Sequence, residues 1–228
     1  NKGMDSKFWQ QRWQDGRIGF HKSNVNPQLT EYFSELAVPI SGQVLVPLCG
    51  KSVDMVWLAH AGYDVVGVEL VETAVQAFFV EQKVIPTITE FKSATDNAIL
   101  KRYQGQLAGQ TITLWAADIF AISAIDIGEI NAVYDRAALI ALPATMRTDY
   151  SAQIVKLSNH APQLLITLNY DQSKKDGPPF SISQQQLQQY YDTDYKIIEL
   201  ENQSSTLNAA SELAVTEQVW LLNPSFTH

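Results

Sequence analysis

Apolar residues recur along this chain in two rhythms, and the rhythms alternate. Leu29, Tyr32, Phe33 and Leu36 fall at steps of three and four, which puts them on one face of a helix, so residues 28–37 are expected to be an amphipathic helix. Residues 43–48 are read as a buried strand, apolar without a break from Val44 to Leu48, as a strand covered on both faces is. Helical spacing returns over 52–61 through Val53, Val56, Trp57 and Ala61, and Gly62 supplies the stop. The same reading gives strands at 64–70, 111–116, 130–134, 164–169, 195–200 and 216–222, and helices at 72–83, 144–159 and 183–191. Residues 171–181 are a polar loop with Gly and Pro. Residues 92–109 fit neither rhythm and are expected to be a loop or lid.

Strands that alternate with helices predict an α/β fold, a mostly parallel sheet of seven strands with helices on both faces. The last two strands follow each other with only weak helical signal between them, which predicts an antiparallel addition at one edge. With 228 residues and 46 % apolar residues, the chain suits one α/β domain with a full core. That domain is expected to span residues 4–228, with Met4 as the natural start and residues 1–3 a remnant ahead of it.

Charge and composition narrow the function. The formal net charge is −8 and the pI about 4.9, with lysine and arginine sparse and scattered. A nucleic-acid partner calls for a basic stripe to neutralise phosphates, so a small-molecule substrate is expected instead. The apolar runs fall short of the ~20 residues of a membrane span, and the start of the chain lacks a signal peptide. The acidic surface points to a monomer. The lone cysteine, Cys49, cannot form an internal disulfide, which suits a reducing cytoplasm. The four histidines, His21, His60, His160 and His228, lack metal-ligand spacing, so no metal is expected.

The candidate chemistry gathers where the first strand ends, in Val44-Leu-Val-Pro-Leu-Cys-Gly-Lys-Ser52. Ligands of open α/β sheets bind at the carboxyl ends of the strands, at the switch point beside the first strand. Glu69 ends the second strand 19 residues after Gly50, where an acid can accept hydrogen bonds from both hydroxyls of a ribose. A P-loop would need Gly at position 45, and Leu45 inside the strand removes that reading. A dinucleotide site wants three glycines in the turn, and only Gly50 is present. S-adenosylmethionine carries no phosphate and tolerates such a turn. Asp118 would then reach the adenine amino group, beside an apolar wall of Ile119 and Phe120. The plainer alternative leaves Glu69 as a surface acid at a strand end.

Longer segments make the chain recognisable. Phe8-Trp9-x-x-Arg12-Trp13 is followed by Gly19-Phe20-His21 with Val25-Asn26-Pro27, then by Val46-Pro47-Leu48-Cys49-Gly50-Lys51-Ser52-x-Asp54-Met55 and Gly67-Val68-Glu69-Leu70. Further on stand Tyr134-Asp135-Arg136-Ala137-Ala138-Leu139, Leu165-Ile166-Thr167-Leu168-x-Tyr170-Asp171-Gln172 and Gly177-Pro178-Pro179-Phe180-Ser181. In these segments, over nearly the whole chain from Met4, it resembles the thiopurine S-methyltransferase family, its bacterial members in particular. Asn169, where Asp is common in those relatives, and the tail after Asn202 depart from the pattern.

The resemblance implies a class I methyltransferase fold and methyl transfer from S-adenosylmethionine to the sulfur of aromatic and heterocyclic thiols, leaving S-adenosylhomocysteine. Bacterial relatives are also associated with methylating selenium and tellurium compounds. Carried over by position, Trp9, Trp13, Leu48, Gly50, Glu69, Leu70 and Arg136 would hold the cofactor, with Asp118 and Ile119 at its adenine. Phe20, His21, Pro179 and Phe180 would line the acceptor pocket, and residues 4–40 would cap it. Arg136 would stabilise the thiolate or orient the acceptor, with Asp135 beside it as a second catalytic candidate. The plainer reading of that pair is a strand-end ion pair. Cys49 is read as a small packing residue facing the cofactor. Two other functions compete, a methyltransferase for an amine, phenol or halide and a cofactor-binding module without catalysis.

Overall fold

A computed structural model describes residues 23–94, 97–204 and 213–225. Its strands are β1 (Gln43–Pro47), β2 (Asp64–Glu69), β3 (Thr87–Lys92), β4 (Ile99–Leu107), β5 (Gln110–Ala116), β6 (Ala132–Asp135), β7 (Gln163–Asn169), β8 (Tyr195–Ser204) and β9 (Thr216–Pro224). The helices are α1 (Pro27–Tyr32), α2 (Asp54–His60), α3 (Glu72–Glu81), α4 (Ala124–Ile127), α5 (Ala144–Ser158) and α6 (Gln184–Tyr191). A single sheet takes the strands in the order β3-β4-β5-β2-β1-β6-β7-β9-β8. Strands β5, β2, β1, β6 and β7 run parallel. Strand β9 is antiparallel to both β7 and β8 and lies between them. The antiparallel strand expected at one edge is thus one place in from it, with β8 outermost.

The central strands form where they do because both of their faces are covered. Along β1, Leu45 enters the core that Tyr150 and Ile154 of α5 and Leu187 and Tyr191 of α6 complete. Its neighbours Val44 and Val46 point the other way, onto Leu29 of α1, Met55 and Leu58 of α2 and Phe78 of α3. A strand sealed by helices on both sides carries no polar alternation, hence the continuous apolar run. The helix expected over 28–37 is shorter than its pattern. After α1 the chain tightens into a 3-10 turn, Phe33–Leu36, and ends at Ala37 with φ 51.

The largest difference from the sequence expectation is at residues 92–109, which are not a loop or lid. They hold the whole of β4, which pairs antiparallel with β3 and β5; together with β3, another strand the pattern did not give, it brings the sheet from the expected seven strands to nine among the described residues. The pattern hid this strand because a charged side chain covers part of it. Arg102 lies with its guanidinium carbon 4.7 Å from the centroid of the Phe91 ring, which itself packs on Trp115. Its stem and planar head fill the place an apolar residue would take. On the other face Tyr103 is buried against α3, where Gln76 donates to its hydroxyl at 3.2 Å and that hydroxyl donates to Glu72.

Candidate active site

Four neighbouring strands deliver the predicted residues to one end of the sheet. The register pairs Pro47 of β1 with Val68 of β2, and Glu69 of β2 with Ala116 of β5. Leu48, Glu69, Asp118 and Arg136 therefore follow the carboxyl ends of β1, β2, β5 and β6, where open α/β sheets bind ligands. Leu48 takes φ 49, an uncommon backbone for a branched residue, and Gly50 takes φ 53. Together they turn the chain sharply out of β1 before α2 begins. The turn is backed tightly and opens outward. A Cβ on Gly67 would lie 2.6 Å from both Cys49 Sγ and Leu114 Cδ2, while one on Gly50 would meet nothing within 4 Å.

Glu69 organises this turn. Its Oε1 accepts the Gly50 N–H at 3.0 Å and its Oε2 accepts the Val71 N–H at 2.9 Å. Burial pushes its carboxyl above the usual glutamate value, and the two N–H donors pull it back down. Each oxygen has lone-pair capacity left for a further donor. Leu70 is half-buried beside it. After β5, Asp118 Oδ1 accepts the Phe120 N–H at 2.9 Å, which shapes that loop. The Ile119 side chain is buried in the core, and half-buried Phe120 presents apolar surface.

The two candidates at the end of β6 differ in their surroundings. Asp135 is 1 % exposed. Its Oδ2 accepts the Tyr150 hydroxyl at 2.7 Å, and its Oδ1 accepts the N–H groups of Ala138 and Leu139 at 3.1 and 3.2 Å. This geometry fixes the turn that follows β6. Burial raises both the Asp135 carboxyl and the Tyr150 hydroxyl, so Tyr150 stays a neutral donor. Arg136 does not pair with Asp135. Its Nη1 lies 3.5 Å from Asp54 Oδ2. Sequence reading missed Asp54 as a site residue. The signal was an acid inside the apolar run Val53, Met55, Val56, Trp57.

Pro179 and Phe180, expected to line the acceptor pocket, are held against the segments that follow β6 and β7. The Tyr170 hydroxyl donates to Pro179 O at 2.6 Å, and Phe180 N donates to Ile140 O at 2.6 Å. Arg147 stands over the Phe180 ring with its guanidinium carbon 5.4 Å from the centroid. Cys49 turns inward, packed in the core beside Gly67 rather than facing the site. Burial and the nearby Glu69 push its thiol well above the usual range, which disfavours the thiolate form a nucleophile needs. Trp9, Trp13, Phe20 and His21, with most of the expected cap over 4–40, lie outside the described residues.

These residues fit S-adenosylmethionine. The outward-opening turn at Gly50 leaves room for backbone approach, Glu69 stands where ribose hydroxyls would donate, and Asp118 follows the adjacent strand. Comparisons with known proteins agree. The family model described as thiopurine S-methyltransferase matches residues 4–223. A thiopurine S-methyltransferase of Psychrobacter cryohalolentis is 57 % identical over 220 residues, 96 % of this chain and 99 % of that protein. One from Teredinibacter turnerae is 41 % identical over 220 residues, covering 96 % and 98 %. Among solved structures, a SAM-dependent methyltransferase of Anabaena variabilis superposes with a TM-score of 0.63 at 13 % identity, covering 98 % of this chain and 97 % of that one. The 1,6-didemethyltoxoflavin-N1-methyltransferase of Burkholderia thailandensis, solved with S-adenosylhomocysteine, gives 0.61 at 14 % identity, covering 96 % and 87 %. Those two likenesses establish the class I methyltransferase fold. The chain belongs to the thiopurine S-methyltransferase family and, with it, to the S-adenosylmethionine-dependent methyltransferases.

Proposed function

We propose that the enzyme methylates the sulfur of small aromatic and heterocyclic thiols such as thiopurines, with selenium or tellurium compounds as further acceptors, in a detoxifying role. The observation that carries this reading is the division of labour among charges at the strand ends. Glu69 and Asp135 hold backbone or tyrosine donors, whereas Arg136, which faces Asp54 through Nη1, is a cation with part of its side chain exposed. A site of that kind suits an acceptor that loses its proton easily. An aromatic thiol ionises near neutral pH, and a fixed guanidinium favours its thiolate.

When bound, S-adenosylmethionine supplies an electrophilic methyl group on a sulfonium. The acceptor thiol gives its proton to solvent, and its sulfur lone pair then forms the bond to the methyl carbon. The cofactor's sulfonium would release that methyl as the new bond forms and keep the electrons of the old one. The protein's contribution is alignment and exclusion of water, which together remove several kcal/mol of barrier. Leu48, Gly50 and Glu69 would fix the cofactor, Pro179 and Phe180 would wall the acceptor, and Arg136 would orient it. Asp135 holds the turn from which Arg136 projects. From the family resemblance, Trp9, Trp13, Phe20 and His21 would close the site from the N-terminal side. The acidic surface suits a small acceptor, and we read the enzyme as a cytoplasmic monomer.

The test is a product assay for S-adenosylhomocysteine with aryl thiols of graded acidity, a selenol, a phenol and an amine, using wild type and Arg136→Ala. Turnover is expected with thiols, and the Arg136→Ala loss should grow as thiol acidity falls. A preference for the amine or phenol would replace the sulfur reading with another acceptor. Cofactor binding without product from any of them would favour a binding module.

A further inference from the structure

Three separate parts of the chain meet at the carboxylate of Asp54, and the chemistry described so far does not use it. Asp54 opens α2, and its own N–H donates to Ser52 Oγ at 3.1 Å. The residue is 1 % exposed. Its Oδ1 accepts the N–H of Asn26 at 2.9 Å, just ahead of α1. Its Oδ2 accepts the Tyr134 hydroxyl from β6 at 2.8 Å and faces Arg136 Nη1 at 3.5 Å. Tyr134 is buried, and that burial with the Asp54 charge pushes its hydroxyl well above the usual range, so it remains a neutral donor.

Burying a carboxylate is costly unless donors surround it, and removing a charged partner from such a group is costlier still. The partners here are not equivalent. The Asn26 N–H and the Tyr134 hydroxyl are neutral partners: a single amide oxygen could accept the N–H, and the hydroxyl could turn to accept from the amide nitrogen. Arg136 is the partner that calls for a charge. The Arg136 guanidinium meets this carboxylate through Nη1 at 3.5 Å, and its side chain is 17 % exposed against 1 % for Asp54.

We propose that Asp54 is a positioning residue, a buried counter-charge that holds the Arg136 guanidinium at the acceptor side of the site. Through the Asn26 N–H it also ties that cation to the chain entering from the N-terminal segment. The kinetic consequence rests on the thiol reading above; the geometric one does not.

The experiment compares wild type, Asp54→Asn and Asp54→Glu in full-length protein. Asn keeps the shape and one acceptor oxygen but removes the charge, and Glu restores the charge on a longer arm. For Asp54→Asn, kcat/KM is expected to fall about tenfold for an aryl thiol of middling acidity. The deficit should grow as the thiol becomes less acidic, and the pH profile of kcat/KM should move to higher pH, because the thiolate loses help from a well-placed cation. KM for the cofactor should change less, and Asp54→Glu should recover part of the loss. A uniform loss across the thiols with an unmoved pH profile would overturn the assignment, as would a Glu variant no better than Asn. Tyr134→Phe guards against a folding effect: it removes a neutral partner and keeps the charge pair, so its dependence on thiol acidity should match wild type. A readout independent of the acceptor is the nitrogen-15 spectrum of the arginine side chains, with Arg136 assigned through Arg136→Lys. If wild type methylates no thiol, the sulfur reading falls, and the spectrum decides alone. An Arg136 resonance changed by Asp54→Asn supports the positioning role, and an unchanged one overturns it.

Discussion

Glu69 has a structural task and, in the function proposed above, a binding one, and the two would pull its proton in opposite directions. Burial raises its carboxyl above the usual glutamate value. A raised acid means the folded state prefers the protonated form, so this stability contribution is present at low pH and is lost as pH rises through the folded value. The proposed binding role asks for the opposite form, because an ionised carboxylate would accept from ribose hydroxyls as well as from Gly50 and Val71. Affinity for S-adenosylhomocysteine should therefore decline as pH falls, starting above the ordinary glutamate value of about 4.3. Calorimetric titrations across that range check this, and Glu69→Gln should flatten the pH dependence. An affinity that holds steady until the ordinary carboxylate range contradicts it.

At the scale of elements, the turn after β1 depends on what lies beneath it. Gly67 in β2 leaves the space that Cys49 fills, and a Cβ there would sit 2.6 Å from Cys49 Sγ and from Leu114 Cδ2. Gly67→Ala should lower stability by about 1–3 kcal/mol through overpacking and weaken cofactor binding by shifting the turn. Thermal unfolding and a cofactor titration on one variant check both effects, and a variant with wild-type values for both would refute this role of the turn. These elements also show what a sequence makes legible. Strands β1 and β2 are readable because helices cover both faces, so their apolar runs are unbroken. Glu69 is readable as an acid ending the second strand, while its two backbone partners, Gly50 and Val71, show only in three dimensions. Strand β4 is not, because Arg102 covers Phe91 with a charged group. Asp54 is not, because its partners Asn26, Tyr134 and Arg136 come together only in three dimensions. The Asp135–Arg136 pairing that adjacency suggests is replaced by Tyr150 on one side and Asp54 on the other.

At the scale of the whole molecule, the parallel core brings β5, β2, β1 and β6 side by side, so segments far apart in sequence meet at one end of the sheet, at the candidate site. An apolar groove of about 420 Å³ lies elsewhere, between α3 and β3, lined by Phe79, Val80, Ile85 and Ile88. The placement of the cofactor is tested most directly by amide hydrogen exchange with and without S-adenosylhomocysteine. Protection should appear together around residues 48–51, 69–71, 117–120 and 135–137, and leave residues 79–88 unchanged. Protection centred on residues 79–88, with the strand ends unaffected, would contradict this account.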